Sequence, residues 1–123
     1  SISGDKKLGN KIYSQLYNLS RSAKETSETK NIYLLINTSK EKNATAKDGA
    51  GKILGYRINL STTITIKDVM TGNEILHENF SVSSVFKAQD QYSETIKLEN
   101  QTTQNLINNI YQDFLIKFSA NLL

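Results

Sequence analysis

From Leu54 onward, apolar and polar residues alternate one for one. The even positions read Leu54, Tyr56, Ile58, Leu60, Thr62, Ile64 and Ile66, and the odd positions read Gly55, Arg57, Asn59, Ser61, Thr63, Thr65 and Lys67. A period of two sustained this long predicts a strand with one buried and one wet face, because helical spacing would scatter the apolar residues around the axis. A matching pattern returns in Leu76, Phe80, Val82 and Phe86 against Ile75, His77, Asn79, Ser81, Ser83 and Lys87. Both apolar faces meet one core only if the connection holds an odd number of residues, since a slip of one exchanges the faces. Met70-Thr71-Gly72 supplies such a loop, with Gly72 left-handed and a bulge beside it. The predicted register pairs Val69 with Asn73, Ile66 with Leu76, Leu60 with Val82 and Tyr56 with Phe86. Lys52 to Lys87 is therefore read as one long β-hairpin. Arms of about sixteen residues span about 50 Å, more than a small core needs. Glu78 falls on the inner face opposite Ile64, so the core cover is expected to stop before the hairpin tip.

The segments around the hairpin follow other rhythms. Leu8, Ile12, Leu16 and Leu19 recur at helical spacing, which predicts a first helix over residues 5 to 20, with Asp5 favoured at its N-terminus. Ser20 to Lys30 is polar and unpatterned, a solvated connection. Ile32 to Ile36 is a short apolar run, fitting a strand buried on both faces or an inner strand of the sheet. Lys40 to Gly51 has no apolar residue larger than Ala and reads as a flexible loop, or as the ragged far end of a hairpin. Ala88 to Glu94 breaks the period. Leu106, Ile107, Ile110, Tyr111, Phe114, Leu115 and Phe118 then predict a helix from about Thr95 to Ala120. This helix and the hairpin's inner face are the largest apolar surfaces, and each needs the other. The order predicts an α+β two-layer sandwich: two helices packed on one face of a mostly antiparallel sheet with a long β-hairpin.

No helix remains to cover the sheet's other face. Asn59, Ser61, Thr63, Thr65 and Lys67 are expected to look outward there, toward water or a partner. Length adds that 123 residues make a single domain, 1–123. The chain contains no Cys, which excludes disulfides and thiolate metal sites within these residues. No apolar run is long enough to span a membrane. The first residue is Ser1 rather than Met, as in a mature or shortened form. Net charge is +3, with lysines scattered among acids and no aromatics interleaved with them, so no nucleic-acid partner is expected. Lys and Arg do bind phosphates through charge-assisted hydrogen bonds, and a ligand carrying a few phosphates suits this surface better than a polyanion.

Catalytic chemistry finds no foothold. His77 is the one histidine, and consecutive strand residues point to opposite sides, so Glu78 cannot serve it. No second His or Cys completes a metal set. Gly49, Gly51 and Gly55 are not followed by the Lys-Ser/Thr of a phosphate loop. Glu74 and Glu78 flank a turn, where carboxylates serve solubility. The expectation is a non-enzyme without cofactor or metal.

A loop ending in Gly51, then Tyr56-Arg57-Ile58-Asn59-Leu60 opening a long strand, resembles the LptE (formerly RlpB) lipopolysaccharide-assembly lipoproteins. So do Val85-Phe86-Lys87 closing the return strand, Glu99-Asn100-Gln101 and the closing Leu115-Ile116-Lys117-Phe118. The pattern Leu8, Ile12, Gln15-Leu16 is similar as well. Two features depart from that family: its lipid-modified Cys and N-terminal strand are not seen, and its proline near the hairpin turn is replaced by Thr71-Gly72-Asn73. The resemblance implies an outer-membrane lipoprotein on the periplasmic side, lipid-anchored in full length, that plugs an LptD-like β-barrel and binds lipopolysaccharide during its insertion. By position it implies Lys47 or Lys52 and Lys97 as lipopolysaccharide-binding residues, and Arg57 and Lys87, as cations on the long strands, are expected to join them. The alternative is another periplasmic lipoprotein module, such as an LpoB-like activator of peptidoglycan synthesis.

Overall fold

In the computed structural model, residues 2–14 and 32–122 are described, with side chains to residue 118. The predicted connection from Ser20 to Lys30, and the first helix beyond Ser14, lie outside the described residues. A four-stranded sheet runs in the order β1 (Ile2–Gly4), β2 (Ile32–Lys47), β3 (Ile53–Asp68), β4 (Glu74–Lys87). Helix α1 covers 6–14 within the described residues, and α2 covers Tyr92–Leu122. β1 pairs with β2 in parallel and the other neighbours are antiparallel, so the predicted two-layer α+β sandwich is present with a mixed sheet.

The hairpin register follows the alternation. Ile66 opposes Leu76, Leu60 opposes Val82, and Tyr56 opposes Phe86, with the Tyr56 and Phe86 rings stacked at 5.5 Å. The tip differs from the predicted Val69–Asn73 pairing. Asp68 N–H donates to the Asn73 carbonyl and Gly72 N–H to the Asp68 carbonyl, which closes a four-residue loop. Lys67 pairs with Glu74, so Ile75 is the extra residue of a bulge within β4. An even loop plus one bulged residue keeps the odd parity that the core demands, and the faces are not exchanged. The Asp68 carboxylate accepts Met70 N–H and Thr71 Oγ1 accepts Asn73 N–H, which fixes the tighter closure; Gly72 has φ of 73°.

Two expectations about strands are corrected. The run from Ile32 to Ile36 is the start of an inner strand, β2, that goes on sixteen residues to Lys47, so Lys40 to Gly51 is the ragged far end of a hairpin with β3 and not a flexible loop. A partner strand of such length supplies ladder bonds even where β2 has no apolar residue to bury, which is why pattern reading ended it early. Nor is it buried on both faces, since Ile32 and Tyr33 are exposed. A strand, β1, also stands ahead of α1 where the pattern placed none. Gly4 makes this junction possible: its φ is 74°, and a Cβ there would run into the Thr38 carbonyl that accepts Asp5 N–H at 2.6 Å. The Asp5 carboxylate then accepts Leu8 N–H at the start of α1.

The core lies between the sheet's inner face and the helices. Leu8 and Ile12 of α1, Ile36 of β2, Ile58, Leu60 and Ile64 of β3, and Leu106, Ile107, Ile110 and Phe114 of α2 form one buried cluster. α2 begins three residues earlier than expected. Buried Thr95 accepts Gln89 N–H through its hydroxyl, tying the helix start to the end of β4. The core also reaches nearer the tip than Glu78 suggested. Ile64, Ile66 and Leu76 are buried, Phe114 meets Phe80 edge-on, and Lys117 reaches from α2 to Glu78 at 3.4 Å. The carboxylate on the inner face is met by a cation rather than marking the core's edge. Among the described residues, no helix is long and apolar enough to cross a membrane.

Candidate functional site

The sheet's outer face is left uncovered by the described helices and is the candidate site. Its columns run across three strands: Asn37, Thr63 and Asn79 in one, and Ser39, Ser61 and Ser81 in the next. Opposite partners bond to each other. Thr63 Oγ1 donates to Asn79 Oδ1 at 2.6 Å, the Ser61 and Ser81 hydroxyls meet at 3.4 Å, and Thr65 Oγ1 lies 2.8 Å from His77 Nδ1. The structure places Asn59, Ser61, Thr63, Thr65 and Lys67 together on this face, as the alternation predicts. Thr65 is the exception in exposure, only 7% accessible and occupied by His77. No described helix lies on this side.

The sequence-predicted cations are brought to one end of the sandwich but not to one cluster. Lys47 and Lys52 flank the turn from Asp48 to Gly51, where the Asp48 carboxylate accepts the N–H groups of Ala50 and Lys52. Arg57 and Lys87 are diagonal neighbours on the outer face, since Gly55 opposes Lys87 and Arg57 opposes Val85. Lys97 stands exposed on α2, in the other layer. Leu54, predicted to be buried, is 45% exposed, because it is the extra residue of β3 between the Ala46–Gly55 and Lys47–Ile53 pairs. With Val85, Phe86 and the stem of Lys87 it lines an open, mostly apolar groove of about 680 Å³. A smaller one of about 450 Å³, lined by Tyr56, Lys52 and Tyr92, adjoins it.

A charged cluster that sequence reasoning missed lies on the inner face. Lys40 and Lys42 of β2 both reach Glu99 of α2, at 3.1 and 2.5 Å, and Lys42 Nζ also lies 4.4 Å from the Tyr56 ring centre. Burial pushes the Glu99 carboxyl up, but hydrogen bonds from Lys42 and Lys40 and their charges outweigh it, holding it below its ordinary value. The same hydrogen bond to Glu99 raises Lys42. The signal was present in Thr38, Lys40, Lys42 and Ala44, which share one parity with Ile36 and so had to face the helices. Among the described residues, no group of three or more His, Asp or Glu side chains could hold a metal ion.

No protein-family model and no curated protein sequence matches the chain. Solved structures do match. Rare lipoprotein B from Shewanella oneidensis superposes with a TM-score of 0.66 at 11% identity, over 99% of this chain and 96% of its own. The fold is that of rare lipoprotein B. A minor lipoprotein from Acinetobacter baumannii matches at TM-score 0.59 and 15% identity, over 99% of this chain and 92% of its own. A third structure, from Caulobacter crescentus CB15, matches at 0.64 and 13%, over 98% and 89%. Coverage this complete on both sides makes the likeness to rare lipoprotein B one of the whole domain. The expected departure from that family in its N-terminal strand is corrected, since a short strand, β1, precedes α1.

Proposed function

We propose that this protein is a non-catalytic assembly module of the bacterial outer membrane. In this reading it is lipid-anchored in full length on the periplasmic side, plugs an LptD-like β-barrel through its outer sheet face, and binds lipopolysaccharide there. One observation carries the reading: a long sheet of rare-lipoprotein fold keeps a face rich in hydroxyl and amide side chains uncovered by its described elements. A hydroxyl and amide surface suits the wet wall of a barrel lumen, whereas an apolar one would demand a greasy partner. The basic end supports the ligand. Lys87, with Arg57 as its diagonal neighbour, borders an apolar groove, and Lys52 borders the adjoining one, so that phosphates and acyl chains of one amphiphile are met side by side.

The test is co-expression with the organism's own LptD and a lipopolysaccharide-binding titration. Co-purification with the barrel and saturable binding are expected. Failure of both, with capture of a penicillin-binding protein instead, would replace this reading by the peptidoglycan one. Reversing two exposed cations, Lys52→Glu with Lys97→Glu, should weaken lipopolysaccharide binding by roughly five- to thirty-fold at low salt, at about 0.5–1 kcal/mol for each surface charge. Unchanged affinity would remove the electrostatic part.

A further inference from the structure

The sheet's two open margins are built differently. β1 covers β2 only at Ile36 to Thr38. Beyond that point β2 carries Lys40, Lys42 and Lys47, with register shifts between Ala44 and Lys47. Lysines and bulges are the devices that stop another strand from adding to an edge. β4 forms the opposite margin, with no strand beyond it among the described residues. From Leu76 to Phe86 it has no lysine, no proline and no glycine, and it pairs with β3 without irregularity. One edge is blunted and the other is not.

The direction of β4's unpaired backbone groups follows from one bond. Ala88 N–H donates to the Leu54 carbonyl at 3.0 Å, continuing the register in which Lys87 opposes Gly55. Bonded and non-bonded pairs alternate along an antiparallel ladder. Even-numbered residues of β4 therefore bond to β3, while His77, Asn79, Ser81, Ser83 and Val85 turn their N–H and C=O groups to the open margin. All five of these side chains are exposed.

We propose that this margin is a homodimerisation edge, at which β4 of a second copy adds antiparallel about Ser81 to make one continuous sheet. Large apolar residues stand at symmetric inner positions about that residue. The pairing sets Leu76 against Phe86 of the second copy, Phe80 against Val82, and Glu78 against Ser84. Moving the centre by one residue either way, the smallest shift that keeps the faces matched, sets Glu78 against Val82 or Phe86 instead. Past the Ile75 bulge, Glu74 of each copy comes opposite Lys87 of the other, a charge complementarity repeated at both ends. The pairs between them, Ser81 with Ser81, Asn79 with Ser83 and His77 with Val85, are the ones with outward backbone groups, so the ladder closes. An added strand buries less than the standard interface of about 1,600 Å², so association in the micromolar range is expected.

Sedimentation velocity of the chain from low micromolar to near-millimolar concentration tests this, and a monomer passing to a dimer is expected. Ser83→Pro removes an N–H that points away from β3, so its circular dichroism and melting midpoint should match wild type while it stays monomeric. Glu74→Lys and Lys87→Glu should each weaken dimerisation several-fold, and the double exchange should restore it. A wild-type chain that stays monomeric across the range overturns the proposal, as does a folded Ser83→Pro variant that still dimerises. Should Ser83→Pro unfold, the charge exchange decides: a double variant no better than either single one overturns the register about Ser81.

Discussion

Glu99→Gln keeps the side chain's shape and removes the charge that ties α2 to β2. The Glu99 side chain is 15% exposed, and its partners Lys40 and Lys42 are 22% and 32% exposed. A fully buried pair broken on one side costs about 3–5 kcal/mol. An exposed pair contributes about 0–1 kcal/mol. A hydrogen bond to a charged group contributes about 1.5–3 kcal/mol. Both lysines keep access to water and can be rehydrated, so the loss should be about 2 kcal/mol at neutral pH. The sign with pH follows from the depressed carboxyl. Its stabilisation is complete above the unfolded-state value, near 4.5, and is lost as pH falls through the lower folded value. Urea denaturation of both proteins at neutral pH and at about pH 3 measures this, and the two stabilities should converge in acid, where protonated Glu99 resembles Gln. A gap of the same size at both pH values, or one below about 0.5 kcal/mol at neutral pH, would refute the reasoning.

Other perturbations probe other layers. Ile64→Ala empties a fully buried site beneath α2 and should cost about 2–5 kcal/mol in denaturant melts with the denaturant slope unchanged. Gly4→Ala should cost more than Gly72→Ala, because both have positive φ but only Gly4 would drive a Cβ into a carbonyl; Gly72→Ala should cost about 1 kcal/mol by the same melts. In Gly4→Ala, hydrogen exchange should quicken at Asp5, whose N–H is held by Thr38.

The hairpin register was legible because β3 repeats its alternation long enough that only one pairing buries both apolar faces. The bulge site was not, since loop residues and strand residues satisfy the same parity equally well. β2 beyond Ile36 was hidden for a different reason. Its inner positions are Lys40, Lys42 and Ala44, and the two lysines are held against α2 by Glu99, a residue far along the chain whose arrival no local pattern announces. Glu78 misled in the same way, since Lys117 of α2 answers it. Where charge is matched across layers, hydropathy alone reads a covered position as an edge. The outer-face residues were legible as a set, whereas the scatter of Lys47, Lys52, Arg57, Lys87 and Lys97 over two layers follows from the packing.

The paired hydroxyls and amides of β3 and β4 bear on how anything could lie against them. Ser61, Thr63 and Thr65 already spend hydrogen-bonding capacity on Ser81, Asn79 and His77. Stripping water from such a wall strands few orphan groups, so a neighbour need not supply a matching set of donors and acceptors. Contour then selects the neighbour more than chemistry does, and single polar-to-polar exchanges on that wall should be tolerated where a bulky intruder is not.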